Sequence, residues 1–224
     1  MRPEGLATGL AGLDDLTECG GLPRGRLTWL SGELGQGWFD LGLAVLALLS
    51  RSLPVALVDF EGRVDPGDVC DYGGDLSNCW LVRPRHPEEG WAAARSLCEA
   101  GVEICLMMSA TWAPVGRAVP ATLMGALETG RGVAVLSGGV TLPAEVTPRV
   151  ALEVECRRLA WTRAHRDVSG LWLRLEVARS RMGAVGRGCR LRIALPRPYA
   201  LQTGVVEAEL WSAPSEELRL EASG

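Results

Sequence analysis

A chain of 224 residues, 47% of them apolar, is long enough for one domain with a substantial core. The sequence has no uncharged run of transmembrane length, which predicts a globular protein that does not span a membrane. All 23 basic residues are arginine and none is lysine, which excludes Schiff-base and lysine general-base chemistry as well as any phosphate-binding lysine.

The seven cysteines form no C-x-x-C pair and there are only two histidines, so buried reduced thiols are expected and no metal site. Met1-Arg2-Pro3-Glu4-Gly5 leads straight into patterned sequence without a signal-peptide pattern, and a cytoplasmic location is expected. The formal net charge of −4 conceals an asymmetry. Residues 1–156 carry 11 arginines against 20 carboxylates, 157–197 carry 11 against 2, and 198–224 carry 1 against 5. A basic segment inside an acidic protein suits a polyanion or an acidic partner, although a solvated basic face gives the same pattern.

In chain order, Leu6 to Leu16 predicts a short helix begun near Gly12 and stopped by Gly20-Gly21, followed by a turn into a first strand, Leu27 to Leu30. A glycine-rich turn follows, Gly32-Glu33-Leu34-Gly35-Gln36-Gly37-Trp38-Phe39, and then an apolar helix, Leu41 to Leu49. Its spacing is that of the phosphate loop G-x-x-x-x-G-K-[ST], in which lysine reaches the β- and γ-phosphates and the hydroxyl holds magnesium. Gly32 and Gly37 stand at the glycine positions and Gly35 lies between them. Trp38 replaces the lysine and Phe39 the hydroxyl, as core residues at the helix start or as a plug for the pocket.

Val55 to Phe60 reads as a buried strand ending in Asp59-Phe60-Glu61, with Asp65-Pro66 beyond. Leu76 to Arg85 holds a third strand, and Pro87 with Glu88 and Glu89 opens a helix that Gly101 closes. Glu103 to Ser109 is a fourth strand, Ala121 to Glu128 a short helix and Val133 to Leu136 another strand. From Val150 onward the pattern changes to paired strands, Ala151 to Cys156, Leu171 to Ala178 and Arg190 to Leu195, with turns at Ser169-Gly170 and Gly186-Arg187-Gly188.

Thr8-Gly9, Leu13-Asp14 and Gly20-Gly21-Leu22-Pro23-Arg24-Gly25-Arg26, ahead of the glycine-rich turn, resemble the core of the RecA recombinase family residue by residue. Asp59, Glu61 and Asp65-Pro66 match its D-x-E-x-x-x-D-P segment. The resemblance implies an α/β fold with a RecA-like core: a mainly parallel, twisted β-sheet flanked by helices, with antiparallel strands on the C-terminal side. It makes Glu61 the counterpart of the water-activating glutamate, left without a task in the absence of a bound γ-phosphate. It also puts Met108 where an aspartate would bind magnesium. The two DNA-holding loops look shorter here than in recombinases, and Ser137-Gly138 replaces a polar sensor pair. Arg179 and Arg181 fall where two lysines reach a neighbouring subunit's nucleotide.

The degenerate loop, Leu81-Val82-Arg83-Pro84-Arg85 before a tryptophan-containing helix, and Leu173-Arg174-Leu175-Glu176 leading to Arg181 are similar to ImuA, a RecA-related family of bacterial translesion-synthesis cassettes. That resemblance implies a non-catalytic adaptor in DNA damage tolerance, without ATPase activity or cofactor. Its implied partners are an ImuB-like protein, a DnaE-type polymerase and RecA. The alternative is a nucleotide-responsive ATPase with an unorthodox loop that uses ATP and magnesium, Glu61, and Arg179 or Arg181.

One domain spanning 1–224 is expected, with a leading segment (1–25), a degenerate nucleotide-binding core (26–150), basic strands (151–197) and an acidic tail (198–224). In the basic segment, Arg157, Arg158, Trp161, Arg163 and Arg166 combine cations with a stacking platform suited to single-stranded DNA. A solvated hairpin face, or a surface for an acidic partner, fits the same residues, and His165 reads as solvated. In the tail, Trp211 reads as the anchor of a docking peptide or as part of an edge strand.

Overall fold

The computed structural model describes residues 4–164, 167–181, 185–194 and 205–212. A small hairpin-like pair, β1 (Gly5–Leu6) and β2 (Leu22–Pro23), brackets helix α1 (Ala11–Leu16). The Asp14 carboxylate accepts hydrogen bonds from the Thr8 N–H at 2.8 Å, the Thr8 hydroxyl at 2.7 Å and the Gly9 N–H at 3.2 Å, tying the Thr8-Gly9 turn to the helix. These groups hold the carboxyl in place, while its burial pushes its pKa up.

The main sheet has nine strands. Six are parallel: β3 (Leu27–Ser31), β4 (Val55–Asp59), β5 (Cys79–Val82), β6 (Ile104–Met108), β7 (Val133–Ser137) and β8 (Val150–Ala164). Three antiparallel strands extend it from β8: β9 (Asp167–Ser180), β10 (Arg187–Ala194) and β11 (Val205–Ser212). The spatial order is β11-β10-β9-β8-β3-β7-β6-β4-β5. This is the expected RecA-like architecture. The continuous apolar runs of β3, β4, β6 and β7, every residue buried, are what a parallel sheet covered on both faces requires.

Alternation along each strand divides the core in two. Leu30, Leu57, Leu106, Met108 and Val135 face helix α2 (Trp38–Ser50), and that cluster continues through Leu152, Leu173 and Leu191 into the antiparallel strands. Trp29, Val58, Met107 and Leu136 face the other way, against helices α4 (Pro87–Glu99) and α5 (Ala118–Gly130). A short helix, α3 (Pro66–Asp71), opens on a capping box in which Asp65 and Asp68 exchange side-chain and backbone hydrogen bonds. Among the described residues no helix is long and apolar enough to cross a membrane.

Several elements differ from the sequence expectation. The expected turn at Ser169-Gly170 lies inside β9, which starts at Asp167 and pairs at Gly170 with both β8 and β10, and Arg187 and Gly188 belong to β10 instead of a turn. Helix α5 spans Ala118–Gly130, beyond the expected Ala121 to Glu128. Helix α2 begins at Trp38, not Leu41, because Gly37 at φ +90° serves as its left-handed N-cap and carries the turn directly into the helix. β8 runs to Ala164, beyond the expected Cys156, because it pairs with β9 from Leu152 to Ala164 and forms a long antiparallel ribbon. The basic stretch from Arg157 therefore lies on a strand.

Candidate functional site

The carboxyl ends of β3, β6 and β7 meet at the glycine-rich turn, where open α/β sheets place their ligands. The Gly32 N–H donates to the Gly139 carbonyl at 3.0 Å and the Gly138 N–H to the Leu30 carbonyl at 2.9 Å, so the turn is tied to the end of β7. Glu33, Leu34 and Gly35 are exposed.

Trp38 is 2% exposed. Its indole N–H donates to the Glu33 carbonyl at 3.0 Å, a bond from the helix back to the turn that precedes it. The ring reaches across the turn. A Cβ added at Gly32 would stand 3.3 Å from Trp38 Cδ1, and one added at Gly138 would stand 2.8 Å from Cη2 and Cζ3. The ring is thus wedged between Gly32 and Gly138. Phe39 packs edge-on against it, with centroids 5.9 Å apart, and the Ser137 hydroxyl donates to the Trp38 carbonyl at 3.0 Å.

The turn is also covered from the antiparallel strands. Leu171 and Leu173 of β9 lie against Gly37, and the Arg158 N–H donates to Gln36 Oε1 at 3.0 Å. Trp29 and Trp112 both donate their indole N–H to the Gly138 carbonyl, at 3.0 and 2.8 Å. Phe60 and Trp91 pack on Trp112. The sequence reading missed this aromatic clamp on Gly138, because Trp29 in β3, Trp91 in α4 and Trp112 in the loop after β6 are brought together only by the sheet order.

Glu61 is committed on both carboxylate oxygens. It accepts from the Ala110 N–H at 2.6 Å and the Ser109 hydroxyl at 3.1 Å, and it pairs with Arg63 at 2.6 Å. It joins the end of β4 to the end of β6. Met108 is 2% exposed and lies in the same core cluster as Trp38. Asp40, in the first turn of α2, accepts from the Tyr72 hydroxyl at 2.9 Å. Burial raises the Asp40 carboxyl above its ordinary range despite that bond and the charge of Arg158, and it raises the Tyr72 phenol, helped by Asp40 itself.

A cleft of about 270 Å³ remains beside the turn, lined in part by Glu33, Gln36, Glu153, Glu155 and Arg157. Burial raises the Glu153 carboxyl, and Arg179, 3.4 Å away, works against that rise. Three carboxylates against one arginine repel a polyphosphate. Where the resemblance puts a lysine, a hydroxyl and a metal-binding aspartate, the structure has an inward-turned indole, a phenyl ring and a buried thioether, groups that do not fit magnesium-ATP. Among the described residues, no group of three His, Cys, Asp or Glu side chains is arranged to hold a metal ion.

The arginines expected to act together occupy three places. Arg158 and Trp161 share a side of the ribbon near the turn, with the guanidinium 4.7 Å from the indole centroid, and exposed Arg163 lies farther toward the tip. Arg157 stands directly opposite Arg174, which in turn is opposite Arg190, in a row across three strands. Sequence reasoning missed that row, although the alternation in Leu173-Arg174-Leu175 and Arg190-Leu191-Arg192 carries it. Arg181 lies toward the other end of the sheet, where it donates to the Pro148 carbonyl, and Arg179 stands between the two ends, paired with Glu153 and donating to the Thr147 carbonyl. Arg166, His165 and the side chain of Trp211 lie outside the described residues.

No family model matches the chain. Three curated proteins to which it is similar are each called Protein RecA. The match to that of Aquifex aeolicus (strain VF5) is 29% identical over 138 residues, 61% of this chain and 40% of that protein. For Gluconobacter oxydans (strain 621H) it is 32% over 114 residues, 50% of this chain and 33% of that protein. For Thermotoga petrophila it is 30% over 128 residues, 57% and 36%. The chain thus spans two fifths or less of the length of these curated relatives. Fold and partial matches together make this chain RecA-like at the level of the superfamily.

Proposed function

We propose that this chain is a non-catalytic RecA-like accessory protein of bacterial DNA damage tolerance, an ImuA-type component of a translesion-synthesis assembly. One observation carries the non-catalytic part. The Trp38 indole fills the turn that would cradle phosphate and is bonded to that turn's own carbonyl. Met108 in the metal position and a Glu61 carboxylate already engaged by Ser109, Ala110 and Arg63 support the same reading.

Calorimetric titration with ATP and magnesium tests it. No saturable binding is expected up to about 1 mM, the affinity range of incidental contacts. Saturable micromolar binding that requires magnesium would overturn it in favour of a nucleotide-responsive ATPase.

The partner side of the proposal rests on the ImuA resemblance: an ImuB-like protein, a DnaE-type polymerase and RecA. Mixing the purified chain with each and reading complex formation by size-exclusion chromatography tests it, and failure with all three would remove the assembly role. Arg158 stacked on Trp161 with Arg163 beyond them supports contact with single-stranded DNA, because cation plus π-face is the sequence-tolerant way to hold an unpaired strand. Anisotropy of a labelled oligo-dT across a salt series should show binding that weakens with salt and is lost in R158A/W161A/R163A.

A further inference from the structure

At the end of the sheet opposite the glycine-rich turn, three clefts of about 480, 520 and 590 Å³ share walls. Pro148 and Arg149 line both the first and the second, and Arg26 and Glu128 line both the second and the third. Together they make one trench along α5, from Arg117 just before the helix to Arg131 just after it. A helix of 13 residues is about 20 Å long, the span of about six residues of extended chain.

The middle of the trench is open and has an apolar floor, with Arg181 on its wall donating to the Pro148 carbonyl. Ala121, Met124 and Gly125 of α5 form its floor, with Pro148 and Ala151 opposite. A side chain added at Gly125 would meet no atom within 4 Å. The ends are cationic. Arg24 is paired with Glu103 at 2.5 Å, Arg26 with Glu128 at 2.9 Å and Arg131 with Glu4. The guanidinium groups of Arg117 and Arg149, in contrast, have no hydrogen-bonded or ion-paired partner among the described residues.

We propose that this trench is a docking groove for a short acidic peptide of a partner protein, one that carries an apolar side chain next to its carboxylates. The carboxylates pair with Arg149 and Arg117, and the apolar side chain rests on Met124 over the space left by Gly125. A peptide suits the groove better than a nucleic acid for two reasons. The described lining offers no aromatic face for a base to stack on. Glu128, Glu145 and Glu4 along the walls oppose an unbroken row of phosphates, whereas a peptide places its charges singly.

The test uses the full chain and a fluorescein-labelled peptide, Glu-Asp-Leu-Phe-Asp-Glu, read by anisotropy. Saturable binding is expected, weakened about tenfold or more in R117S/R149S, in Gly125→Glu and with the neutral peptide Gln-Asn-Leu-Phe-Asn-Gln. Arg117 and Gly125 are exposed and the half-buried Arg149 has no side-chain partner, so the variants should keep the wild-type melting temperature. The Met124 methyl resonance should shift on peptide addition while those of buried Met107 and Met108 do not. Absence of saturable binding below about 1 mM, or affinity unchanged in both variants, overturns the proposal. So does displacement of the peptide from wild type by a 20-nucleotide oligo-dT that shifts Met124 in its place, which would make the trench a nucleic-acid groove.

Discussion

Trp38 decides how the glycine-rich turn behaves. A lysine there would extend toward solvent and ligand. An indole instead gains by burial, and its N–H finds a partner in the Glu33 carbonyl. Trp38→Ala should therefore cost about 3–5 kcal/mol, as aromatic truncations in cores do, measured by urea denaturation; a loss below about 1 kcal/mol would mean that the ring is not wedged. Asp40, one turn into the same helix, gives a pH signature. Its carboxyl is raised by burial, so the folded state holds that proton more tightly than the unfolded chain. The stabilisation is fully present below the ordinary carboxylate pKa and is lost as pH rises through the raised folded value. In paired denaturations, wild type should gain stability relative to Asp40→Asn as pH falls from 7 toward 4. A constant difference would show that Asp40 titrates as an ordinary carboxylate.

Among the elements, those with a continuous apolar run are legible in the sequence and those defined by pairing are not. The buried strands β3, β4, β6 and β7 announce themselves as short apolar runs. The outer half of β8 does not, because Arg157 to Arg163 cover no core and their strand character comes only from hydrogen bonds to β9. The candidate site divides in the same way. The departures from the resembled pattern at Trp38, Phe39 and Met108 are readable residue by residue, but the clamp on Gly138 and the trench along α5 depend on which elements the sheet order makes neighbours. Glu61 belongs to this level, since the resemblance marks it as catalytic and the structure uses it to link β4 to β6. Glu61→Ala leaves the Ala110 N–H and Ser109 hydroxyl without this acceptor and should cost about 1–3 kcal/mol. Hydrogen exchange should quicken at residues 109–112 before it changes in β6 itself. Equal exchange in the variant and wild type would mean that the link contributes nothing.

For the whole molecule, the question is whether the parallel core and the antiparallel strands open as one unit. The cluster around α2 runs without a break from Leu30 and Leu106 to Leu173 and Leu191, which argues for a single cooperative domain despite the reversal of charge between the two parts. The cysteines report on both sides of that boundary. Cys98 and Cys105 are buried on the α4–α5 side of the parallel core, Cys156 and Cys189 are buried in the antiparallel part, and Cys70 is exposed. Burial pushes the Cys189 thiol up to about 12 and the Cys79 thiol up to about 11, so even a partly reachable Cys79 reacts slowly. With a disulfide reagent at pH 8, Cys70 should label first. The four buried thiols should follow with one shared opening free energy, equal to that of global unfolding measured by circular dichroism. Labelling of Cys156 and Cys189 well ahead of Cys98 and Cys105 would show instead that the basic strands open on their own, and would divide the chain at the junction of β3 and β8.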